Sequence, residues 1–529
     1  MFAHLGPDAV LEPLVGSWPA DAYIIAPLTT AMTVAANHLP ILRSFVARPK
    51  LHQDAVKMPK LAGGPFVDVA PERVAEVAAL LAWTEREHAP LVGLAEAIKS
   101  LELAIAQDTS GQGLEAAWAK VPPLLRGFVE LRYDLQHRAS ARYLEPMFYK
   151  QGFYREASQS FTLEKVTGDR RAFWYSTPRF AEPGRVMLAA PFADERIDML
   201  CRARTEAVDV DALADAFTLA GPDRAAFAAC FRASAPPPAA RYTGPGMRVR
   251  YFGHASLLLE SADVAVLVDP TLGPGWPGAP PRYSWDDLPA RLDYVFITHA
   301  HSDHYCPEIL LQLRHRTGTV VVPRSGGSLV DPSLELMLRA MGFKHVVGLG
   351  ELDRLELPGG HATAIPFFGE HGDLDIQAKA SWAIRLAGRG VLVASDAQGI
   401  EPRVFELLSD ELADLDALFL AMEPNGAPPL TWGYGPMFAV PPTRAMDQAR
   451  RQRTAIQGEI VQILARLAPK AFYNYAMGLE PWLKHVMGLG DPSVRPALDD
   501  GDEVVRFCKE RGIVAERLHV QKELYFRST

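Results

Sequence analysis

The chain has 529 residues, of which 48% are hydrophobic and 22% charged, and its formal net charge at pH 7 is −9. This length exceeds what one hydrophobic core accommodates, so we expect two domains of ordinary globular composition. The acidic balance argues against a nucleic-acid-binding protein, which normally carries a basic surface.

The sequence shows neither a targeting segment nor a cysteine pattern typical of disulfide-bonded proteins. No run approaches the roughly 20 apolar residues that a membrane-spanning helix needs, and the first residues lack the pattern of a signal peptide. The cysteines are far apart in the sequence and form no C-x-x-C pair, which is typical of a reducing compartment. They are Cys201, Cys230, Cys306 and Cys508. We therefore expect a soluble cytoplasmic protein that binds neither a membrane nor nucleic acid.

The first half of the chain has the pattern of a mixed, helix-rich domain. Leu94, Ile98, Leu101 and Ile105 recur at helical spacing, and residues 74–83 and 211–219 are good helix formers. Three consecutive prolines within residues 233–240 cannot continue a helix, so this segment is predicted to be a linker. We predict an N-terminal domain over residues 1–240 and a second domain over residues 241–529.

After the linker, short β-branched runs alternate with helical stretches. The predicted strands are residues 247–252, 256–260, 264–268, 293–298, 319–322, 345–349, 362–366, 382–386, 391–395, 417–420 and 471–475. The predicted helices are residues 307–315, 332–341, 402–409 and one long helix from about Thr443 to Leu467. Strands that alternate with helices around two sheets predict an α/β sandwich.

The densest chemical signal is His299-Ala300-His301-Ser302-Asp303-His304, directly after an apolar strand. Alternate side chains of an extended segment point to one side, so His299 and His301 can meet a single ion. Asp303 and His304 come after a turn and can address a second ion nearby. The motif therefore predicts a two-metal site.

Four side chains cannot complete two metal sites, so further ligands must come from later in the chain. The candidates are Glu370 and Asp396, which follow predicted strands, and His485. Asp396 is well placed to bridge both ions. Each candidate has a structural alternative, as a turn residue, a solvated acid or a core histidine, and His371 is the main rival to Glu370.

The pattern resembles the metallo-β-lactamase superfamily over about residues 245–490. The resemblance includes residues 251–256 (YFGHAS), 268–270 (VDP) and the histidine motif. It implies an αββα sandwich. Metal-bound histidines need orienting partners, so we expect His254 and Asp269 to have a supporting or structural role rather than to be ligands. Zinc hydrolases of that superfamily usually supply a third histidine where this chain has Glu370. Three carboxylates beside four histidines form a hard, anionic set that suits iron better than zinc alone.

A narrower resemblance spans nearly the whole chain. Residues 63–65 (GGP), 174–179 (WYSTPR), 369–373 (GEHGD), 426–437 (GAPPLTWGYGPM) and 475–485 are similar to the diiron β-hydroxylases of nonribosomal peptide pathways, the chloramphenicol-pathway type among them. The resemblance implies two iron ions with an oxo or hydroxo bridge. One ion would be held by His299, His301, Glu370 and Asp396, and the other by Asp303, His304, His485 and the shared Asp396.

The same resemblance implies the chemistry and the partners. The enzyme would use O₂ to β-hydroxylate an amino acid that is tethered as a thioester to a carrier protein, with Glu370 and Asp396 as the residues that carry the reaction. An external reductase would supply electrons, since the sequence has no flavin or NAD fingerprint. The N-terminal domain would form a homodimer interface or dock the carrier, and Trp432 and Tyr434 would line the substrate channel.

Two other classes of function fit the residues. A dinuclear zinc or iron hydrolase would use a metal-bound hydroxide to attack an ester, lactone, thioester or phosphodiester. A binding protein with a dormant metal fold is the third class, and the full set of seven candidate ligands argues against it. Glu370 is the sequence feature that favours the oxygenase over the hydrolase.

Overall fold

The computed structural model describes residues 2–61, 63–107, 111–168, 170–423, 425–430, 433–487 and 496–527. None of the described helices is both long and apolar enough to cross a membrane. The four cysteines, predicted to be unpaired by their spacing, are all free thiols.

The N-terminal half combines helices with small sheets. Its strands are β1 (Phe2–Leu5), β2 (Ala9–Val15), β3 (Trp18–Pro19), β4 (Val129–Tyr133), β5 (Ala139–Tyr143), β6 (Gln159–Lys165), β7 (Arg185–Leu188), β8 (Val208–Asp209) and β9 (Phe231–Arg232). Its helices are α1 (Ala22–Ile25), α2 (Pro27–Thr33), α3 (Leu39–Ala47), α4 (Pro49–Val56), α5 (Val74–Glu87), α6 (Ala89–Ala106), α7 (Glu115–Trp118), α8 (Glu145–Lys150), α9 (Glu195–Arg202), α10 (Val210–Ala216) and α11 (Gly221–Ala229). The sheets have the orders β3-β2-β6-β7, β8-β1-β9 and β4-β5.

The predicted helices of this half are present, and the sheets were not predicted. Leu94, Ile98, Leu101 and Ile105 are all buried on one face of α6, as their spacing indicated. The residues of β2 are all buried. A continuously buried strand lacks the alternation by which a strand is recognised in a sequence.

The second half is a sandwich of two seven-stranded sheets. Its strands are β10 (Met247–Tyr251), β11 (Leu257–Glu260), β12 (Ala265–Val268), β13 (Leu292–Phe296), β14 (Thr317–Pro323), β15 (Val346–Leu349), β16 (Arg354–Leu357), β17 (Gly360–Ile365), β18 (Ser381–Leu386), β19 (Arg389–Ser395), β20 (Ala417–Ala421), β21 (Ala471–Tyr475), β22 (Val514–Arg517) and β23 (Lys522–Phe526). Its helices are α12 (Pro307–Leu313), α13 (Leu334–Ala340), α14 (Arg403–Leu407), α15 (Arg444–Ala449), α16 (Gln457–Leu467), α17 (Lys484–Met487) and α18 (Pro496–Glu510). The orders are β15-β14-β13-β12-β11-β10-β23 and β16-β17-β18-β19-β20-β21-β22.

An apolar core fills the space between these two sheets, and helices cover their outer faces. The core includes Val249, Leu257, Val266, Trp382, Val391 and Phe419. Buried residues of α16 and α18 pack with those of β20 on the second sheet, and α12 joins the N-terminal half where Gln312 Nε2 donates to the Leu11 carbonyl (3.3 Å). Helices on both outer faces give the four-layer arrangement expected from the sequence.

The prediction of one long helix over Thr443–Leu467 was wrong. The structure has α15 and α16, with a non-helical stretch over residues 450–456. In that stretch Gln452 pairs with Ala427, and the Thr454 hydroxyl accepts from the Glu423 backbone N–H (2.5 Å). Tertiary hydrogen bonds outweigh the local helix propensity there.

The parallel strands position the candidate metal residues. β12, β13 and β14 are parallel to one another, as are β19, β20 and β21. The loops after β12, β13, β17 and β19 carry Asp269, the histidine motif, Glu370 and Asp396. Loops at strand ends display functional groups on a rigid base, and these four loops converge at one edge of the sandwich.

Candidate metal centre

The histidine motif forms an extended segment and then a turn. His299 pairs with Lys379, and the Thr298 carbonyl accepts from the Ala380 N–H (2.8 Å), so the segment continues β13. The His304 N–H donates to the His301 carbonyl (2.9 Å), which turns the chain before α12 begins at Pro307. This local geometry separates the two histidines of the extended part from Asp303 and His304.

The first candidate metal position lies among His299, His301, Glu370 and His371. One ligand atom from each lies within 4.8 Å of the others. His301 Nδ1 is 2.6 Å from Glu370 Oε1, and His371 Nδ1 is 2.7 Å from Glu370 Oε2. Glu370 therefore stands between two imidazoles, and both it and its predicted rival His371 reach this position.

The second candidate position is centred on His304. Its Nε2 lies 3.4 Å from Asp396 Oδ2 and 3.8 Å from Asp303 Oδ2, and the ring centroids of His299 and His304 are 4.1 Å apart. His299, His304 and Asp396 have ligand atoms within 4.8 Å of one another. Asp396 thus lies where a bridging carboxylate is required.

Several buried atoms of this cluster make no hydrogen bond with any described residue. They are His299 Nε2, His304 Nε2, His371 Nε2 and Asp396 Oδ1. Buried polar atoms are rarely left without a partner, because the desolvation penalty is about 1–3 kcal/mol each. Metal ions at these atoms would satisfy them, so the residues present fit a dinuclear metal site.

Asp269 orients the motif from behind. Its carboxylate accepts from the Thr298 N–H (2.8 Å), the Thr298 hydroxyl (2.6 Å) and His304 Nδ1 (2.9 Å). A carboxylate only accepts, so Nδ1 of His304 carries a proton and its Nε2 atom faces Asp396 and Asp303. This carboxylate–histidine arrangement is the usual support of a metal-bound imidazole.

His254 and Tyr434 orient two further candidate ligands. His254 Nδ1 accepts from the Gly478 N–H (3.2 Å), so its Nε2–H donates to Asp303 Oδ2 (3.0 Å). Tyr434 is fully buried, and its hydroxyl lies 2.8 Å from His301 Nε2, which leaves His301 Nδ1 for the position beside Glu370. The sequence predicted that Tyr434 lines a substrate channel; the structure shows it in contact with His301, and the channel role stays a prediction. Trp432 lies outside the described residues.

The pKa shifts of the clustered side chains indicate a site with negative potential, which attracts positive charge. Burial would raise the pKa of Glu370, but the charges of His301 and His371 outweigh burial and hold that pKa well below its usual range. Burial raises the pKa of Asp396. Burial would lower the pKa of His304, but Asp396 and Asp303 raise it well above the usual value. The negative potential that holds a proton on His304 would equally hold a divalent cation.

Four non-glycine residues around the site have left-handed backbone conformations. They are His254 (φ 50°), Asp269 (φ 42°), Glu370 (φ 68°) and Ser395 (φ 51°). Such conformations cost on the order of 1 kcal/mol or more each, and they concentrate at functional sites. The surrounding sheet edge therefore imposes the directions of these side chains.

His485 lies apart from the other predicted ligands. One ring nitrogen of His485 lies within 4.8 Å of a carboxylate oxygen of Glu12 and of one of Glu308, and the motif contributes no residue to this group. Trp174 holds this segment, because its backbone N–H donates to the His485 carbonyl (3.0 Å) and its Nε1 to the Val486 carbonyl (2.9 Å). The structure thus brings six of the seven predicted ligands into the two candidate positions. His485 lines a pocket with Ser302 of the motif, and its role as a metal ligand stays a prediction.

The sequence reasoning missed Thr298 and Ser395 as parts of the site. The Thr298 hydroxyl contacts His299 Nδ1 (3.0 Å), and the Ser395 hydroxyl contacts His304 Nδ1 (3.2 Å). Each is a hydroxyl residue at the end of an apolar strand, immediately before a candidate ligand. This position at a strand end is the feature of the sequence that could have indicated their role in the site.

Comparison with known proteins places this site in a family. Residues 4–236 match the model of the diiron non-heme beta-hydroxylase N-terminal domain, and residues 248–362 match the beta-lactamase superfamily domain. A 4-amino-L-phenylalanyl-[CmlP-peptidyl-carrier-protein] 3-hydroxylase from Streptomyces venezuelae is 36% identical, with 98% of each chain covered. A metal-dependent hydrolase from Opitutus terrae is 26% identical over 41% of this chain and 100% of its own.

The likeness extends to three dimensions. The crystal structure of CmlA, a diiron beta-hydroxylase from Streptomyces venezuelae, superposes with a TM-score of 0.92 at 34% identity, covering 99% of this chain and 100% of that one. The predicted fold, a helix-rich N-terminal region followed by a metallo-β-lactamase sandwich, is confirmed. The chain belongs to the diiron non-heme β-hydroxylase family.

Proposed function

We propose that this protein is an O₂-dependent monooxygenase that β-hydroxylates an amino acid held as a thioester on a carrier protein. The observation that carries the proposal is the position of Glu370, which adds a carboxylate to His299 and His301 where zinc hydrolases usually have a histidine. Full-length similarity to a hydroxylase of a carrier-bound amino acid supports the substrate class.

The donor set suits iron. Carboxylates are hard oxygen ligands, and imidazoles accept iron readily, so this mixture favours a diiron pair over zinc alone. We assign His299, His301 and Glu370 to one ion, Asp303 and His304 to the other, and Asp396 to both. His371 is the alternative ligand at the first position, because its Nε2 makes no hydrogen bond with a described residue.

Hydrogen bonds from neighbouring residues hold the proposed metal ligands in one geometry. When bound, the iron pair supplies the reduction of O₂ that hydroxylation of an unactivated C–H bond requires. One oxygen atom enters the Cβ–H bond and the other leaves as water, which consumes two electrons and two protons. Asp269, His254 and Tyr434 fix His304, Asp303 and His301, respectively, by hydrogen bonds. The burial of all three ligands excludes bulk water.

The partners follow from this chemistry. The electrons come from an external reductase, because the sequence contains no flavin or NAD fingerprint. The carrier protein delivers the substrate, and the N-terminal half provides a carrier-docking or homodimer surface. Both roles of the N-terminal half, and its boundary near residue 240, stay predictions.

Metal content and substrate form test the proposal together. Protein purified aerobically is expected to contain two irons per chain and to hydroxylate the carrier thioester, with little turnover of the free amino acid. Near-stoichiometric zinc without iron would contradict the oxygenase assignment. Equal turnover of free and carrier-bound amino acid would contradict the carrier assignment alone.

A variant pair tests Glu370 directly. Glu370→Gln keeps the shape but removes the charge between two imidazoles, and we expect at least a hundredfold loss of hydroxylation. Glu351→Gln, an exposed glutamate outside the site, is the matched control and should retain full activity. Full activity of Glu370→Gln with two irons bound would remove Glu370 from the ligand set.

A further inference from the structure

The turn that carries Glu370 has a strained backbone. Four of its residues have positive φ, namely Gly369 (75°), Glu370 (68°), Gly372 (61°) and Asp373 (58°). Glycine adopts this conformation freely, but a glutamate in it costs on the order of 1 kcal/mol or more. Such a residue persists only where its surroundings over-determine the conformation. The contacts of this turn therefore show what holds Glu370.

Close packing requires both glycines of the turn. A Cβ atom on Gly369 would overlap the Gln398 side chain, and one on Gly372 would lie 2.8 Å from the Pro429 ring. The Gln398 N–H also donates to the Phe368 carbonyl (2.9 Å). The turn is therefore packed between the loop after β19 and the loop after β20.

Lys379 holds the first end of the turn. Its Nζ donates to the Gly369 carbonyl (2.8 Å) and lies 5.7 Å from the centre of the Phe367 ring. Its backbone pairs with His299, which shares the first candidate metal position with Glu370. The backbone of Lys379 thus aligns with one ligand segment, while its side chain holds the other.

Arg450 holds the second end of the turn. This residue follows α15, and its Nε donates to the Gly372 carbonyl (2.9 Å). Neither Arg450 nor Lys379 forms an ion pair with any residue that the structure describes, although both are partly buried. Partial burial of a cation against a neutral carbonyl is unfavourable by itself, so charge pairing does not explain these two positions.

We propose that Lys379 and Arg450 are positioning residues that hold the Gly369–Gly372 turn and so fix the direction of Glu370 toward the first candidate metal position. This inference rests on the proposed function, in which Glu370 is a metal ligand. Neither cation belongs to a candidate metal position. Each acts on a carbonyl of the turn, and among the charges that act on Lys379 that of Glu370 is the strongest.

The two hydrogen bonds keep the carboxylate between its two imidazoles. Glu370 Oε1 is 2.6 Å from His301 Nδ1, and its Oε2 is 2.7 Å from His371 Nδ1. Release of either end of the turn lets Glu370 return to a negative φ, which the residue prefers. The carboxylate then leaves this place, and the first position loses an oxygen ligand.

Iron retention by the full-length iron-loaded protein tests the proposal. Lys379→Met removes the ammonium but keeps the backbone pairing with His299, and we expect it to bind one of its two irons about tenfold more weakly in competition with a chelator. Arg450→Met should change iron affinity in the same direction. The matched control is Lys470→Met. Lys470 is 63% exposed, donates to Asp416 at the same distance (2.8 Å) near β21, and should be replaceable without loss of either iron.

A double substitution separates positioning of Glu370 from general support of the fold. Because Lys379 is proposed to act through Glu370, the iron that Glu370→Gln keeps should be held equally tightly when Lys379→Met is added. Weaker binding of that iron in the double variant overturns the positioning role alone. So does unchanged iron affinity in Lys379→Met or in Arg450→Met when Glu370→Gln loses iron. Unchanged iron affinity in Glu370→Gln overturns the ligand assignment, and the positioning role with it.

Discussion

Replacement of Asp269 by asparagine is the sharpest test of how the metal centre is held. Asp269 is not a member of either candidate metal position. It accepts hydrogen bonds from Thr298 and from His304 Nδ1. The asparagine side chain would have one acceptor oxygen, and its amide N–H₂ would face a donor. At least one buried donor would then lose its partner.

The expected magnitude follows from these contacts. A hydrogen bond to a charged group contributes about 1.5–3 kcal/mol, and loss of such support around a metal-bound histidine lowers metal affinity about 10- to 100-fold. We therefore expect Asp269→Asn to fold, to bind one iron far more weakly than the other, and to lose most of its hydroxylation activity. Iron retention is measured by competition with a chelator.

The matched control is Asp416→Asn. Asp416 is also buried, and it accepts from the Gly390 N–H (3.0 Å) and Lys470 Nζ (2.8 Å) at the beginnings of β19 and β21, away from the metal centre. This variant should lose stability but keep its iron affinity. If Asp269→Asn held both irons as tightly as Asp416→Asn does, the orienting role of Asp269 would be refuted.

Three further predictions have defined outcomes. Tyr434→Phe removes the hydrogen bond to His301 Nε2, so we expect about tenfold weaker iron retention with unchanged circular dichroism. Glu12→Gln leaves buried Arg179 without its carboxylate, while Arg171 keeps its ion pair with Glu308, and the change should cost about 3–5 kcal/mol in denaturant unfolding, whereas Glu130→Gln, in an exposed pair, should cost under about 1 kcal/mol. Burial raises the pKa of Asp21 to about 7, so the folded state holds this proton more tightly than the unfolded state and stability falls as pH rises from about 4 to 7. Between pH 5 and 8 the unmodified protein should lose on the order of 2–3 kcal/mol relative to Asp21→Asn, as measured by denaturant unfolding at each pH.

Sequence reasoning identified the parts of the site that depend on local pattern. The motif follows β13 within a few residues, so an apolar run predicts both the strand and the loop that displays the histidines. The same logic applies to Glu370 after β17 and Asp396 after β19. Parallel strand ends meet at one edge, and this rule was enough to bring distant residues together.

Other parts depend on packing between distant segments, which a local pattern does not contain. His485 is ten residues beyond β21, and no strand end fixes its direction. Trp174, more than 300 residues away, binds the backbone at His485 and Val486. The helix predicted over residues 443–467 failed for the same reason, since pairing between Gln452 and Ala427 interrupts it.

The backbone around the metal centre contradicts local preference in a consistent way. His254, Asp269, Glu370 and Ser395 all have positive φ, a conformation that favours glycine. No propensity scale would place a glutamate or a serine there, and no local pattern indicates it. Glu370 is a proposed ligand, and the other three residues contact Asp303 or His304. Positive φ at non-glycine residues also occurs elsewhere in the chain, at Ser17, Thr218 and Val520 among others, so it is the clustering of such residues around the candidate ligands that points to a functional site.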